Sequence, residues 1–197
     1  MAVSLSKGQR ASIDSSLKMV LVGLGWDPNK YDGGFDFDLD ASAFVCDSSG
    51  KVRNDEDFIF YNNQDWHDHT IWSSGDDRTG GSSDKGDDEQ IFINFSKLPE
   101  WVDKIAITVT IHEAEERRQN FGQVSNAYVR VAKVKDETDT TGETVIQFDL
   151  EEEFSIETAL VVCEIYKKNG QWKFNAVAGG YQGGLEALCR SYGVNVG

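Results

Sequence analysis

Proline is nearly absent from this sequence: two residues in 197, beside nineteen glycines. That excludes a proline-rich linker and predicts a chain that turns on glycine. Cysteine is scarce as well. Cys46, Cys163 and Cys189 are odd in number, far apart and without metal-type spacing. They read as reduced, buried thiols, not as a disulfide framework or a zinc site. No long hydrophobic run occurs, and the longest, residues 19–26, is far too short to span a bilayer. The opening MAVSLSKGQR lacks the apolar core of a signal peptide, and residue 2 is Ala where myristoylation requires Gly. A cytoplasmic protein without a transmembrane segment is expected. Positive charge is also short, at 19 Lys and Arg against 34 Asp and Glu. Without a basic stripe to displace phosphate counterions, nucleic acid is not expected as a direct partner. No phosphate loop, nucleophile elbow or paired CxxC motif is present.

What is there is acid, and it is unevenly placed. Residues 27–89 hold seventeen acidic and five basic residues, so most of the net charge of −15 sits in one stretch. Charge of one sign at that density repels itself unless a cation or a basic partner neutralises it, although a merely solvated acidic face is the plainer explanation. The length predicts one domain, residues 1–197. Short β-type runs dominate it: 19–26, 58–61, 90–95, 104–111, 127–134, 143–150, 158–167 and 172–178. Asn169-Gly170 between the last two is a two-residue hairpin signal. Helical signals are few. Residues 113–120 suit a short helix, and 184–192, followed by Gly193, suits a terminal one with a glycine stop. The pattern predicts an all-β dominated, antiparallel β-sandwich with a few short helices, including one at the C-terminus. The one long irregular stretch is 62–86, of a length that is usually functional or disordered.

Three acidic clusters could supply the oxygen ligands that a hard cation such as calcium takes. In the first, Asp36-Phe-Asp38-Leu-Asp40, an extended chain would put the three carboxylates on one face and Phe37 and Leu39 on the other. The EF-hand reading of this stretch fails. Its position 6 is Ala41 where the turn requires Gly, its position 12 is Asp47 and not Glu, and no helices flank it. The second cluster is Asn62-Asn63, which by itself suits a turn at least as well as a ligand. The third is Gly75-Asp76-Asp77-Arg-Thr-Gly80 with Gly86-Asp87-Asp88-Glu89, where glycines allow a tight loop with oxygens aimed inward, or else a disordered acidic loop. Asp65, His67, Asp68 and His69 could hold a transition metal, but histidines in a polar loop are more often simply exposed. His112-Glu113 could be an acid–base pair, although no nucleophile is marked by its spacing.

Several segments closely resemble the TerD family of tellurium-resistance proteins. They are Val20-Leu-Val-Gly-Leu-Gly-Trp-Asp27, Asp36-Phe-Asp-Leu-Asp-Ala-Ser-Ala43, Asp57-Phe-Ile-Phe-Tyr-Asn-Asn63, Gly86-Asp-Asp-Glu89, Val109-Thr-Ile-His112, Asn120-Phe-Gly-Gln-Val124, Ser155-Ile-Glu-Thr-Ala159 and Gly179-Gly-Tyr-Gln-Gly-Gly-Leu185. They run in order through essentially the whole chain. The resemblance implies a β-sandwich in a bacterial cytoplasm, at the inner membrane face, binding two calcium ions. It implies a non-enzymatic role in resistance to tellurite, phage and colicins. The implied partners are other tellurium-resistance proteins, among them an integral membrane protein. It places metal binding on Asp36, Asp38, Asn62, Asn63, Asp76, Asp77, Asp87, Asp88 and Glu89, with Asp40 as a support. The chain departs from the family between Asn63 and Gly86: Ser73 stands where a His is usual, Asp77 where Asn is usual, and Trp66 and Trp72 are additions suited to capping the site or meeting a partner. Two other functions stay open at this point, a metal-dependent hydrolase using the same carboxylates and direct tellurite or thiol chemistry at the cysteines.

Overall fold

The computed structural model describes residues 2–30, 34–75, 78–79, 86–150 and 154–196. In chain order the strands are β1 (Val3–Leu5), β2 (Arg10–Ser12), β3 (Met19–Gly25), β4 (Leu39–Cys46), β5 (Phe58–Ile59), β6 (Asp65–Trp66), β7 (Ile71–Ser73), β8 (Glu89–Asn94), β9 (Lys104–Ile111), β10 (Tyr128–Lys133), β11 (Glu143–Asp149), β12 (Ala159–Lys168) and β13 (Gln171–Tyr181). One sheet has the order β1-β11-β10-β3-β8-β7-β6 and the other β2-β13-β12-β9-β4-β5. All pairs are antiparallel except β1 with β11. The fold is thus the expected β-sandwich, with one parallel edge.

The core follows from strand alternation. Val20, Val22 and Leu24 of β3, Ile91 and Ile93 of β8 and Val129 and Val131 of β10 face Ala41, Ala43, Val45, Ile105, Ile107 and Val109 of the other sheet. Each of the larger side chains contributes roughly 1.5–3 kcal/mol by leaving water. The outer face of the second sheet is covered by α2 (Gly184–Tyr192), whose Leu188, Cys189 and Tyr192 pack on Phe44, Phe58 and Val161. Gly193 ends α2 at φ +85°, as its position predicts. Asn169 and Gly170, at φ +53° and +75°, form the hairpin turn from β12 to β13. The other expected helix is shorter than its composition suggests. Only α1 (Ala114–Arg117) forms, bounded by Glu113 and Arg118 in left-handed conformations.

The stretch 62–86 is not wholly irregular, because β6 and β7 form an antiparallel pair at the edge of the first sheet. Trp66 is 2% exposed and donates its Nε1–H to Asp57 Oδ1 at 3.0 Å. Trp72 stacks on Phe92. Both additions are therefore packing residues, which corrects the expectation that they cap a metal site or meet a partner. Among the described residues no helix is long and apolar enough to cross a membrane.

Candidate functional site

Asp36, Asp38 and Asp40 line one cavity of about 360 Å³, together with Phe35, Tyr61, Arg78, Thr79, His112 and Arg117. The strand carrying them starts later than the alternation suggests: β4 begins at Leu39, so Asp36 and Asp38 lie in the approach to it. Phe37 and Leu39 nevertheless enter the core, at 3% and 2% exposure, which turns the three acids the other way. Long-range contacts fix the backbone of this segment. Trp26 donates its indole N–H to Phe37 O at 3.1 Å, and Gln119 Nε2 donates to Phe35 O and Asp36 O. Asp38 O accepts the His112 amide at 2.8 Å.

The acids following Gly86 divide between two tasks. Glu89 is buried and crosses the sandwich: its Oε2 accepts the backbone N–H of Ala41 at 2.5 Å. That amide faces away from β9, and β5 pairs with β4 only at Ala43 and Phe44, so a carboxylate supplies the missing acceptor. Asp88 accepts the Trp26 amide at 2.9 Å, and so holds the residue whose indole holds Phe37. Asp88 and Glu89 are therefore brought to the Asp36–Asp40 segment across 48 or more residues of sequence.

Asp87 lies on the outer face of the first sheet. Its side chain is wholly buried, and Arg130 grips it through two bonds, Nε to Oδ1 at 2.7 Å and Nη2 to Oδ2 at 2.6 Å. Tyr128 OH and Gln90 Nε2 donate to the same carboxylate at 3.0 and 2.9 Å. The pairing raises the Arg130 pKa, and burial with the adjacent Asp87 charge drives the Tyr128 hydroxyl well above its usual range. Gly23 and Gly25 make room for this cluster. A Cβ at Gly23 would collide with the Asp87 carboxylate, and one at Gly25 with the Tyr128 ring. Arg130 and Tyr128 were not singled out by the sequence; the glycines spaced by two in β3 were the available signal.

Asn62 and Asn63 form a tight turn closing on Phe60, and Asn63 Nδ2 donates to Phe58 O at 2.7 Å and Glu56 O at 3.1 Å. The turn positions Tyr61 at the cavity rim. Asp76 and Asp77 lie outside the described residues. Their chain neighbours Arg78 and Thr79 line the cavity.

The electrostatics of the cavity are partly balanced. An extended chain advances at most about 3.5 Å per residue, so carboxylates on alternate residues would lie roughly 7 Å apart, where a like pair costs about 2 kcal/mol at an effective dielectric of about 20. Arg117 Nη1 approaches Asp38 Oδ2 at 3.3 Å, and His112 Nδ1 approaches Asp40 Oδ2 at 3.6 Å. His112 also lies 3.6 Å from Glu113. Oxygen donors of this kind suit a hard cation and not a soft one. Among the described residues, no three Asp, Glu, His or Cys side chains converge as a ready-made metal cluster. His69 pairs with Asp65 at 2.7 Å in the loop considered for a transition metal.

The cysteines are set aside as reagents. All three are unpaired and buried, and burial pushes the thiols of Cys46 and Cys189 up to about 12 and about 11, and that of Cys163 higher still. Nucleophilic thiolate is therefore scarce at neutral pH, which counts against direct thiol chemistry.

Fold and site together define a β-sandwich protein with an acidic cavity at one end of its sheets. The TerD domain model matches residues 1–192. General stress protein 16U of Bacillus subtilis (strain 168) is 50% identical over 200 residues, covering 100% of both chains. Tellurium resistance protein TerD of Serratia marcescens is 50% identical over 198 residues, covering 99% of each. The crystal structure of a homologue of telluride resistance protein (TerD) from Streptomyces coelicolor A3(2) is similar in fold, with a TM-score of 0.68 at 24% identity over 88% of this chain and 95% of that one. The chain belongs to the TerD family, whose members are named as tellurium-resistance and general stress proteins.

Proposed function

We propose that this chain is a calcium-dependent interaction module of a bacterial stress response that includes tellurite resistance. The observation that carries the reading is that Asp36, Asp38 and Asp40 line one cavity, which Arg78 and Thr79, the residues that follow Asp76 and Asp77 in the sequence, line as well. Asp36, Asp38, Asp76 and Asp77 would hold calcium, with Asp40 and the Asn62-Asn63 turn in support. Asp88 and Glu89 fix the segment from behind, and Asp87 serves the fold through Arg130. Calcium would supply charge neutralisation, a task that Arg117 partly performs at Asp38. Phe35 and Tyr61, 64% and 42% exposed, rim the same cavity and are of the residue type that anchors protein interfaces. They are the proposed contact for the other tellurium-resistance proteins, including one in the membrane.

Isothermal titration with calcium tests this. Saturable binding is expected, weakened tenfold or more by Asp36→Asn or Asp38→Asn, while Asp87→Asn lowers stability more than affinity. Arg117→Gln, which removes a competing cation at Asp38, should tighten binding. Absence of a calcium heat, with melting temperature unchanged by millimolar calcium, would overturn the reading.

A further inference from the structure

In a chain this acidic, a larger concavity has the opposite character. A groove of about 1010 Å³ is lined by Lys18, Lys97, Lys133 and Lys135, over apolar Leu17, Met19 and Val134. All four lysines are exposed, and none of them pairs with a carboxylate among the described residues. Lys97 donates to a backbone carbonyl, that of Asp68, at 2.9 Å.

Strand register places this groove at the end of the sandwich opposite the acidic cavity. Met19 pairs with Asn94 and Val20 with Lys133 at one end of β3, whereas Leu24 pairs with Glu89 and Gly25 with Tyr128 at the other. The α1 turn belongs to the acidic end, since it follows Ile111, which pairs with Leu39. It projects Glu113, Glu115 and Glu116 into solvent with Arg118 beside them. The seven residues of β3 separate the ends by about 20 Å. That is about twice the screening length at 0.1 M salt, so each end presents its local charge and not the molecular total.

We infer that the lysine groove receives the acidic α1 end of a second copy of the chain. The two surfaces are opposite in majority charge, and each carries a minority of the other sign. Asp136 and Glu137 stand on the groove wall among the lysines, as Arg118 stands among the glutamates of α1. A mixed-sign rim with an apolar floor favours a folded protein surface over a uniformly anionic polymer or lipid headgroup layer, which Asp136 and Glu137 would repel. The contact joins unlike patches, so it is head-to-tail and propagates into short chains of molecules. It goes beyond the calcium reading and can be tested in the presence of a chelator, so that failure of either leaves the other standing.

Sedimentation velocity of the full chain across a concentration series, in chelator, at about 0.1 M and about 1 M salt, is the test. Reversible, concentration-dependent association is expected at the lower salt and its loss at the higher. Exposed ion pairs are each worth roughly a factor of 1.5 to 5 in affinity, so Lys18→Glu with Lys133→Glu should weaken association about tenfold or more. Glu115→Lys with Glu116→Lys should do the same. An equimolar mixture of the two double variants pairs the intact groove with the intact turn and the reversed groove with the reversed turn, so it should recover the association that each variant alone has lost. A wild-type chain that stays monomeric at the lower salt, or association that survives both double variants, would refute the inference. So would lysine-dependent binding to anionic vesicles by a chain that does not self-associate. Circular dichroism of the surface variants, expected to match the parent, separates lost contact from lost fold.

Discussion

Replacing Arg130 by Met should destabilise the protein by about 3–5 kcal/mol, because it strands a carboxylate that has no access to water. The Asp87 side chain is fully buried, and two of the bonds to it come from Arg130, at 2.7 and 2.6 Å. Removing one partner of a buried pair costs that much because the remaining charge keeps its desolvation penalty without the compensating attraction. Tyr128 and Gln90 would still donate to Asp87, which puts the expectation toward the lower bound. Replacing both partners, as Arg130→Met with Asp87→Leu, removes the stranded charge and should recover at least half of the loss. Urea unfolding with linear extrapolation reads both variants, and at typical urea slopes the single variant moves the midpoint by more than 1 M. A loss below about 1 kcal/mol for Arg130→Met, or a double variant no better than the single one, would refute the argument. The pair would then be an exposed ornament and not the clamp of the segment leading to Asp88 and Glu89.

Further outcomes follow from other parts of the structure. Gly170→Ala should cost about 1–2 kcal/mol in the same unfolding assay, since it forces a Cβ onto a residue at φ +75° in the β12–β13 turn. Acid should weaken the fold through its capped carboxylates. Asp139, held down by the backbone N–H groups of Gly142 and Lys135, and Asp27, held down by Lys30 and Asn126, have folded pKa values below their unfolded ones. Their stabilisation is complete above the unfolded value near 4 and is lost as pH falls through the lowered folded values, so the melting temperature should fall there. The three thiols should react with a disulfide reagent at a small fraction of the rate of free cysteine at pH 8 until denaturant is added. Rapid labelling of any one in the native protein would contradict the burial that raises them.

The sequence alone determined the β-sandwich class, the Asn169-Gly170 turn, the C-terminal helix with its glycine stop and the outward display of Asp36, Asp38 and Asp40. These follow from rules that act within a few residues: alternation, positive φ at glycine and asparagine, and helical spacing. Strands β1, β2, β6 and β7 escaped because two or three residues carry no measurable period, and only pairing with a neighbour makes them strands. Strand β4 was legible only at Leu39 and Asp40, because residues 41–46 are buried on both faces and do not alternate. Trp66 and Trp72 looked like surface additions because a polar loop surrounds them in sequence, yet Asp57 and Phe92 receive them in space. The acidic run likewise separated only in the tertiary structure. Asp36, Asp38 and Asp40 face a cavity, Asp88 and Glu89 hold the backbone behind it, and Asp87 pairs with Arg130 on the far side of the sheet. No local rule distinguishes Asp87 from Asp88. Which way each carboxylate points, and what meets it, is set by strands that are distant in sequence, and burial then makes each pairing costly to break.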